Sequence, residues 1–164
     1  MIRKIISTVI LITLISCSGN TKKEYASVEE MVQDAKTKVT FISADELKSH
    51  IDSHESFYLI DCREQDEFDI ACIQNAISIP RGTLEGTVSE KAPKHRNPVY
   101  IYCSNGDRST LAALVLPLLK YSDVKVLEGG FDAFQTKYPA LVEQAPKRGG
   151  TEVKVAKPSG GCGG

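Results

Sequence analysis

No two of the five cysteines are spaced as Cys-x-x-Cys, and only three histidines, His50, His54 and His95, accompany them. Structural zinc sites draw on paired ligands at short spacing, so no metal is expected, and no cofactor motif stands in its place. Nor do five cysteines so placed read as a disulfide scaffold. Charge of one sign is also missing: 20 Lys and Arg face 21 Asp and Glu, for a formal charge of −1. With the lysines scattered, there is no basic patch to hold a polyanion, and nucleic-acid binding is not expected. The most apolar stretch, 5–15, is too short to span a bilayer as a helix. What is present, 164 residues with 41% apolar and 25% charged, suits one globular core, and a monomer is expected.

The N-terminus reads as an address. Arg3 and Lys4 precede the apolar stretch, which ends in Leu14-Ile15-Ser16-Cys17. This resembles the lipobox of bacterial lipoproteins, and the resemblance implies that 1–16 is a signal peptide and that Cys17 is the lipidated N-terminus. The protein is then expected at the cell envelope, anchored to a bacterial membrane on its periplasmic or outer face. A cleaved signal peptide with an incidental Cys17, or an uncleaved anchor, is the alternative. Residues 17–38 read as a polar tether leading into a short amphipathic helix over 28–38.

Beyond it, short apolar β-rich segments alternate with helical ones. Strands are expected at 39–42, 57–60, 76–79, 99–102 and 124–127. Ser43-Ala44-Asp45-Glu46 is a capping-box pattern for a helix through Asp52, and further helices are expected at 109–119 and 131–138, the last after a Gly129-Gly130 turn. Such alternation points to an α/β fold: a three-layer sandwich with a mostly parallel central sheet and helices on both faces. Residues 142–164 read as a flexible Gly-rich tail containing Cys162.

The chemistry concentrates in Tyr102-Cys103-Ser104-Asn105-Gly106-Asp107-Arg108-Ser109, where a buried strand gives way to a polar loop and then a helix. Cys103 falls at the strand's carboxyl end, where open parallel sheets bind ligands. Main-chain N–H groups at a helix start and a nearby cation such as Arg108 are the surroundings that favour a thiolate. Cys103 is therefore the expected nucleophile, with Ser104, Asn105, Gly106, Asp107, Arg108 and Ser109 enclosing the substrate.

These residues, together with Leu59-Ile60-Asp61-Cys62-Arg63-Glu64, Glu67-Phe68, Ile73-Gln74-Asn75-Ala76-Ile77-Ser78-Ile79-Pro80 and Leu127-Glu128-Gly129-Gly130-Phe131, fall in the order seen in the rhodanese family. The chain resembles that family over 39–141. The resemblance implies the rhodanese fold and a persulfide on Cys103. Sulfur would pass from a small donor such as thiosulfate, mercaptopyruvate or a persulfide to a thiol or cyanide acceptor. Four residues separate Cys103 from Arg108, where the related dual-specificity phosphatases carry five, and the tighter ring suits a sulfane sulfur better than a phosphoryl group. Two positions depart from the family pattern: Ala71-Cys72 replaces Gly-His, and Phe134 stands where a tryptophan is common. Asp107 adds a negative charge expected to weaken anionic donors.

Other residues admit a plain and a functional reading. Cys62 reads as a small buried hydrophobe in preference to a second active thiol, Cys72 as structural or redox-active, and Arg81 as a flank of the pocket or a solvated loop residue. Asp61, Arg63 and Glu67 read as a stabilising network in which Arg63 pairs with Glu67 four residues on. The tail is long enough for Cys162 to reach the loop and accept sulfur or resolve it as a disulfide. A non-catalytic binding module and a thiol-redox protein are the competing functions.

Overall fold

The computed structural model describes residues 23–93 and 96–144. The expected signal peptide, Cys17, His95, Cys162 and the terminal Gly-rich segment lie outside the described residues.

Five strands form one parallel sheet in the order β1-β6-β5-β2-β4, with β1 at Thr40–Ile42, β2 at Tyr58–Asp61, β4 at Ile77–Ser78, β5 at Val99–Tyr102 and β6 at Val124–Leu127. Strand side chains alternate between faces, and the alternation divides the core. Tyr58, Ile60, Cys62, Val99, Ile101 and Cys103 pack on one face beneath α4 (Leu84–Lys91) and α5 (Asp107–Ala113). Leu59, Tyr100, Tyr102 and Leu127 pack on the other beneath α2 (Ala44–Asp52) and α6 (Gly130–Lys137). The result is the expected three-layer α/β sandwich.

Local chemistry sets the helix starts. Ser43 Oγ accepts the Glu46 N–H at 3.2 Å while the Glu46 carboxylate accepts the Ser43 N–H at 3.0 Å, so two otherwise orphaned donors at the start of α2 are satisfied reciprocally. In α1 (Val28–Lys36), Ser27 Oγ accepts the Glu30 N–H, and Val32 and Ala35 are buried.

Several boundaries differ from expectation. The helix expected over 109–119 begins at Asp107 and ends at Ala113; Leu116–Leu119 is a 3-10 turn instead, since Pro117 has no N–H to continue the ladder. The charged segment after Arg63 is a helix, α3 (Gln65–Ile70), which buries Phe68. Unanticipated α4 buries Leu84 and Val88, and Ala92 follows at the same four-residue spacing. Val142–Glu143, placed in the tail by the sequence reading, forms β7, paired antiparallel with β3 (Cys72–Ile73) in a second, two-stranded sheet. Two residues are too few for a period to declare itself.

Candidate functional site

The strands β2 and β5 run parallel with Asp61 opposite Tyr102, so the next residues along each, Cys62 and Cys103, emerge side by side at the carboxyl edge of the sheet. The Cys62 N–H donates to the Tyr102 carbonyl at 2.9 Å, which carries the ladder up to the loop. Beyond Cys103 the chain turns through Ser104 and Asn105 to Gly106, whose φ of 99° lies in the left-handed region that a glycine adopts without strain. That turn aims the Gly106 N–H at Cys103 Sγ, 3.2 Å away.

Further donors converge on the same sulfur. Ser109 Oγ lies 3.6 Å from Sγ and 3.0 Å from the Gly106 carbonyl, and its single proton serves one of them at a time. The Ser109 amide and the Cys62 S–H also donate to it. Cys103 is fully buried, which by itself opposes ionisation. The donors outweigh burial, Cys62 foremost, and hold the thiol at about 5, so it is a thiolate at neutral pH. Cys62 is correspondingly pushed far up, first by donating to Cys103 and then by burial, and stays protonated.

The loop is braced by its own side chains and by the helix beneath it. Asn105 Oδ1 accepts the Asp107 N–H at 3.1 Å and its Nδ2 donates to Asp107 Oδ2 at 2.9 Å. Asp107 also meets Lys36 of α1 at 3.1 Å, so its charge is partly neutralised. From below, the Phe131 N–H donates to the Cys103 carbonyl at 2.8 Å and the Asp132 N–H to the Ser104 carbonyl at 3.1 Å. This contact requires Gly130, whose φ is 63°: a Cβ there would stand 2.4 Å from the Cys103 carbonyl oxygen.

Arg108 does not point at the sulfur. Its guanidinium makes a two-pronged pair with Glu67 at 2.9 and 3.0 Å and a bond to Ser104 Oγ at 3.0 Å. Glu67 Oε1 also accepts from Ser104 Oγ, and Oε2 from the Glu64 N–H. Glu67 is held down at about 2, chiefly by Arg108. Its cation acts on the thiolate through space, while Glu67 and Ser104 hold it at the loop's rim.

The expected Arg63–Glu67 pair is also absent. Arg63 precedes α3, so four-residue helical spacing does not apply to it. Instead its Nη2 donates to Asp61 Oδ2 at 2.7 Å and to the Ala71 carbonyl at 2.6 Å, and its guanidinium carbon lies 3.9 Å from the centre of the Phe131 ring. Both partners are buried, and among the described residues no buried side-chain nitrogen or oxygen lacks a hydrogen bond. Arg81 donates its N–H to the Cys62 carbonyl at 3.1 Å, and its side chain pairs with Glu85 at 2.8 Å. Cys72 is buried in the β3–β7 ladder with its thiol pushed up to about 11 by burial and then by Glu143, poor conditions for a nucleophile.

What sequence reasoning missed is that Cys62 lies directly beside Cys103. The signal was present in Ile60-Asp61-Cys62 and Ile101-Tyr102-Cys103, which end alike, but their adjacency depends on the strand order. Among the described residues no group of three or more His, Cys, Asp or Glu is placed to hold a metal ion, and no helix is long and apolar enough to cross a membrane. A cleft lined by Lys38, Thr40, Ala113, Pro117 and Val124 opens at the other end of the sheet, away from Cys103.

Comparison with known proteins places this geometry. The chain is 36% identical over 72 residues to YrkF of Bacillus subtilis, named as a candidate sulfur carrier protein, covering 44% of this chain and 38% of that one. It spans less than half the length of the first curated relatives it matches. It is 30% identical over 84 residues to the thiosulfate sulfurtransferase GlpE of Pseudomonas fluorescens, covering 51% of this chain and 75% of that one. Among solved structures, a Rhodopseudomonas palustris protein described as a possible tyrosine phosphatase superposes with a TM-score of 0.61 at 22% identity, over 73% of this chain and 96% of that one, a likeness of fold alone. The rhodanese-like domain family matches residues 43–137, well over half of the chain and all of the loop around Cys103, and the chain belongs to that family.

Proposed function

We propose that the chain is a sulfurtransferase in which Cys103 carries sulfane sulfur as a persulfide. The observation that carries this reading is the Gly106 N–H on Cys103 Sγ at 3.2 Å, in a loop whose donors hold the thiol at about 5. In the first step the thiolate attacks the outer sulfur of thiosulfate or of a persulfide, or the thiol sulfur of mercaptopyruvate, whose carbon–sulfur bond breaks. A Cys103–sulfur bond forms, and the donor's remaining fragment leaves with the electron pair, as sulfite in the case of thiosulfate. The new terminal sulfur is an anion, and the Gly106 and Ser109 donors suit it as they suit the thiolate. An acceptor thiol or cyanide then takes that sulfur and returns Cys103 to the thiolate.

Arg108 would orient an anionic donor at the rim, in competition with Glu67. That competition is also what favours a second reading, a non-catalytic module, because the cation already has a partner. Thiosulfate:cyanide transfer measured for the full chain and for Cys103→Ser separates the two. We expect the serine variant to lose at least about a thousandfold in rate; equal rates would establish the module instead.

The expected lipid at Cys17, the envelope location and the monomeric state belong to the same proposal. The support for the lipid and the location is the Arg3-Lys4, 5–15 and Leu14-Ile15-Ser16-Cys17 order. Metabolic labelling with a fatty acid, lost on Cys17→Ala, tests the first two, and sedimentation tests the third.

A further inference from the structure

Two thiols lie at one point of the site, and the sulfur-transfer cycle above uses one of them as a carrier. Cys62 and Cys103 continue a register in which Ile60 faces Ile101 and Asp61 faces Tyr102, and both side chains point to the same face of the sheet. Neighbouring strands lie about 4.8 Å apart, within the roughly 4.4–6.8 Å that separates the Cα atoms of a disulfide. Cys62 is held in place on both sides: its N–H donates to the Tyr102 carbonyl at 2.9 Å and its carbonyl accepts the Arg81 N–H at 3.1 Å. The two thiols are already hydrogen-bond neighbours, Cys62 donating to Cys103.

We propose that Cys62 is an internal acceptor that discharges the Cys103 persulfide, releasing hydrosulfide and leaving a Cys62–Cys103 disulfide. The inference rests on the persulfide reading of Cys103. The direction of approach decides which sulfur Cys62 meets. An external thiol comes from the loop side and meets the outer sulfur, whereas Cys62 reaches Cys103 Sγ from the adjoining strand, among Ile60 and Ile101. Attack on Sγ forms the Cys62–Cys103 sulfur–sulfur bond and breaks the bond from Sγ to the sulfane sulfur. The departing sulfur takes that electron pair and the Cys62 proton and leaves as hydrosulfide. Counted from a zero-valent sulfane sulfur, it gains two electrons and each cysteine sulfur gives one, so no external oxidant enters. A thiol or dithiol reductant then reopens the disulfide and is itself oxidised.

Loading is what makes Cys62 competent. While Cys103 is a thiolate, Cys62 donates its proton to it and is kept neutral. Once a sulfane sulfur is attached, the negative charge moves outward to the loop donors, and Cys62 loses the anion that suppressed it. The site therefore carries a second activity: reductive release of sulfur when no external acceptor arrives.

The test uses the full chain, reduced and freed of reductant, then given one equivalent of thiosulfate. Intact mass, released hydrosulfide and peptide mapping are followed for the wild type, Cys62→Ala and Cys62→Ser. In the wild type we expect the gain of one sulfur to give way to the loss of two hydrogens, with hydrosulfide in equal amount and the peptides of Cys62 and Cys103 linked. In both variants the sulfur adduct should persist, with hydrosulfide release slowed at least about tenfold. An adduct equally stable in all three proteins, or a disulfide joining Cys103 to a different cysteine, overturns the role of Cys62 and leaves sulfur transfer standing. No adduct on any of the three overturns the persulfide reading and this inference with it.

Discussion

Glu67 of α3 grips Arg108 of α5 with both carboxylate oxygens, at 2.9 and 3.0 Å, across the rim of the Cys103 loop. Both side chains are about one-third exposed, so the pair contributes modestly to stability and more to where the cation points. An anionic donor has to share the guanidinium with this carboxylate. Glu67→Gln should therefore lower KM for thiosulfate several-fold with kcat little changed, read from steady-state rates. An unchanged or raised KM would show that Arg108 does not meet the donor.

Asp107 bears on the same question from inside the loop. Its charge is balanced in part by Lys36, at 3.1 Å, so the repulsion expected from sequence is softened. Asp107→Asn should improve thiosulfate use by about two- to fivefold and leave a neutral persulfide donor unaffected. Parallel kinetics with the two donors test this.

The Cys103 thiol is depressed from the ordinary 9.0 to about 5. A group depressed in this way contributes stability that is complete above 9.0 and disappears as pH falls through about 5. Thiolate absorbance in the ultraviolet, with Cys103→Ser as the blank, should rise with a midpoint near 5. Cys62→Ala removes the foremost donor and should move that midpoint upward. A midpoint near the ordinary thiol value in the wild type would show that the loop does not hold an anion.

The Asp61–Arg63 pair sits beneath the site with both members buried and the guanidinium stacked on Phe131. Asp61→Ala leaves a buried cation with one carbonyl for a partner, and should cost about 3–5 kcal/mol in denaturant-induced unfolding. A loss below about 1 kcal/mol would mean that water reaches Arg63.

How much of this was legible beforehand depended on the kind of signal. The Ser43–Glu46 cap and the strand Val99–Tyr102 announce themselves locally, by a hydrogen-bonding pattern in one case and an apolar run between breakers in the other. The family blocks placed the Cys103 loop in order along the chain. The Arg108–Glu67 pair was not legible because the two residues are 41 apart, and no spacing rule connects them. Cys62 was weighed as a buried hydrophobe against a second active thiol, and its neighbour stayed hidden because it is decided by which strand lies beside β2. Helix α4 escaped because Gly82, Thr83 and Gly86 look like loop, although Leu84, Val88 and Ala92 repeat every four residues and all are buried.

Gly130 gives the sharpest test of the loop's support. Adding a methyl group there drives it to 2.4 Å from one carbonyl oxygen and 2.5 Å from another, at a positive φ. Gly130→Ala should destabilise the fold by about 2–4 kcal/mol and reduce sulfur loading of Cys103 in the protein that still folds. Thermal unfolding alongside intact mass checks both.

The loop that carries the sulfur is fixed in place through main-chain atoms: the Gly106 amide donates to Sγ, and the Cys103 and Ser104 carbonyls are tied down to the amides of Phe131 and Asp132. The side chains of Ser104, Asn105 and Asp107 brace the loop from its rim, outside those main-chain contacts. Substitutions at the rim can therefore redirect which molecule arrives while the reacting atom keeps its place, so donor preference is free to drift along a lineage in a way that the nucleophile's position is not.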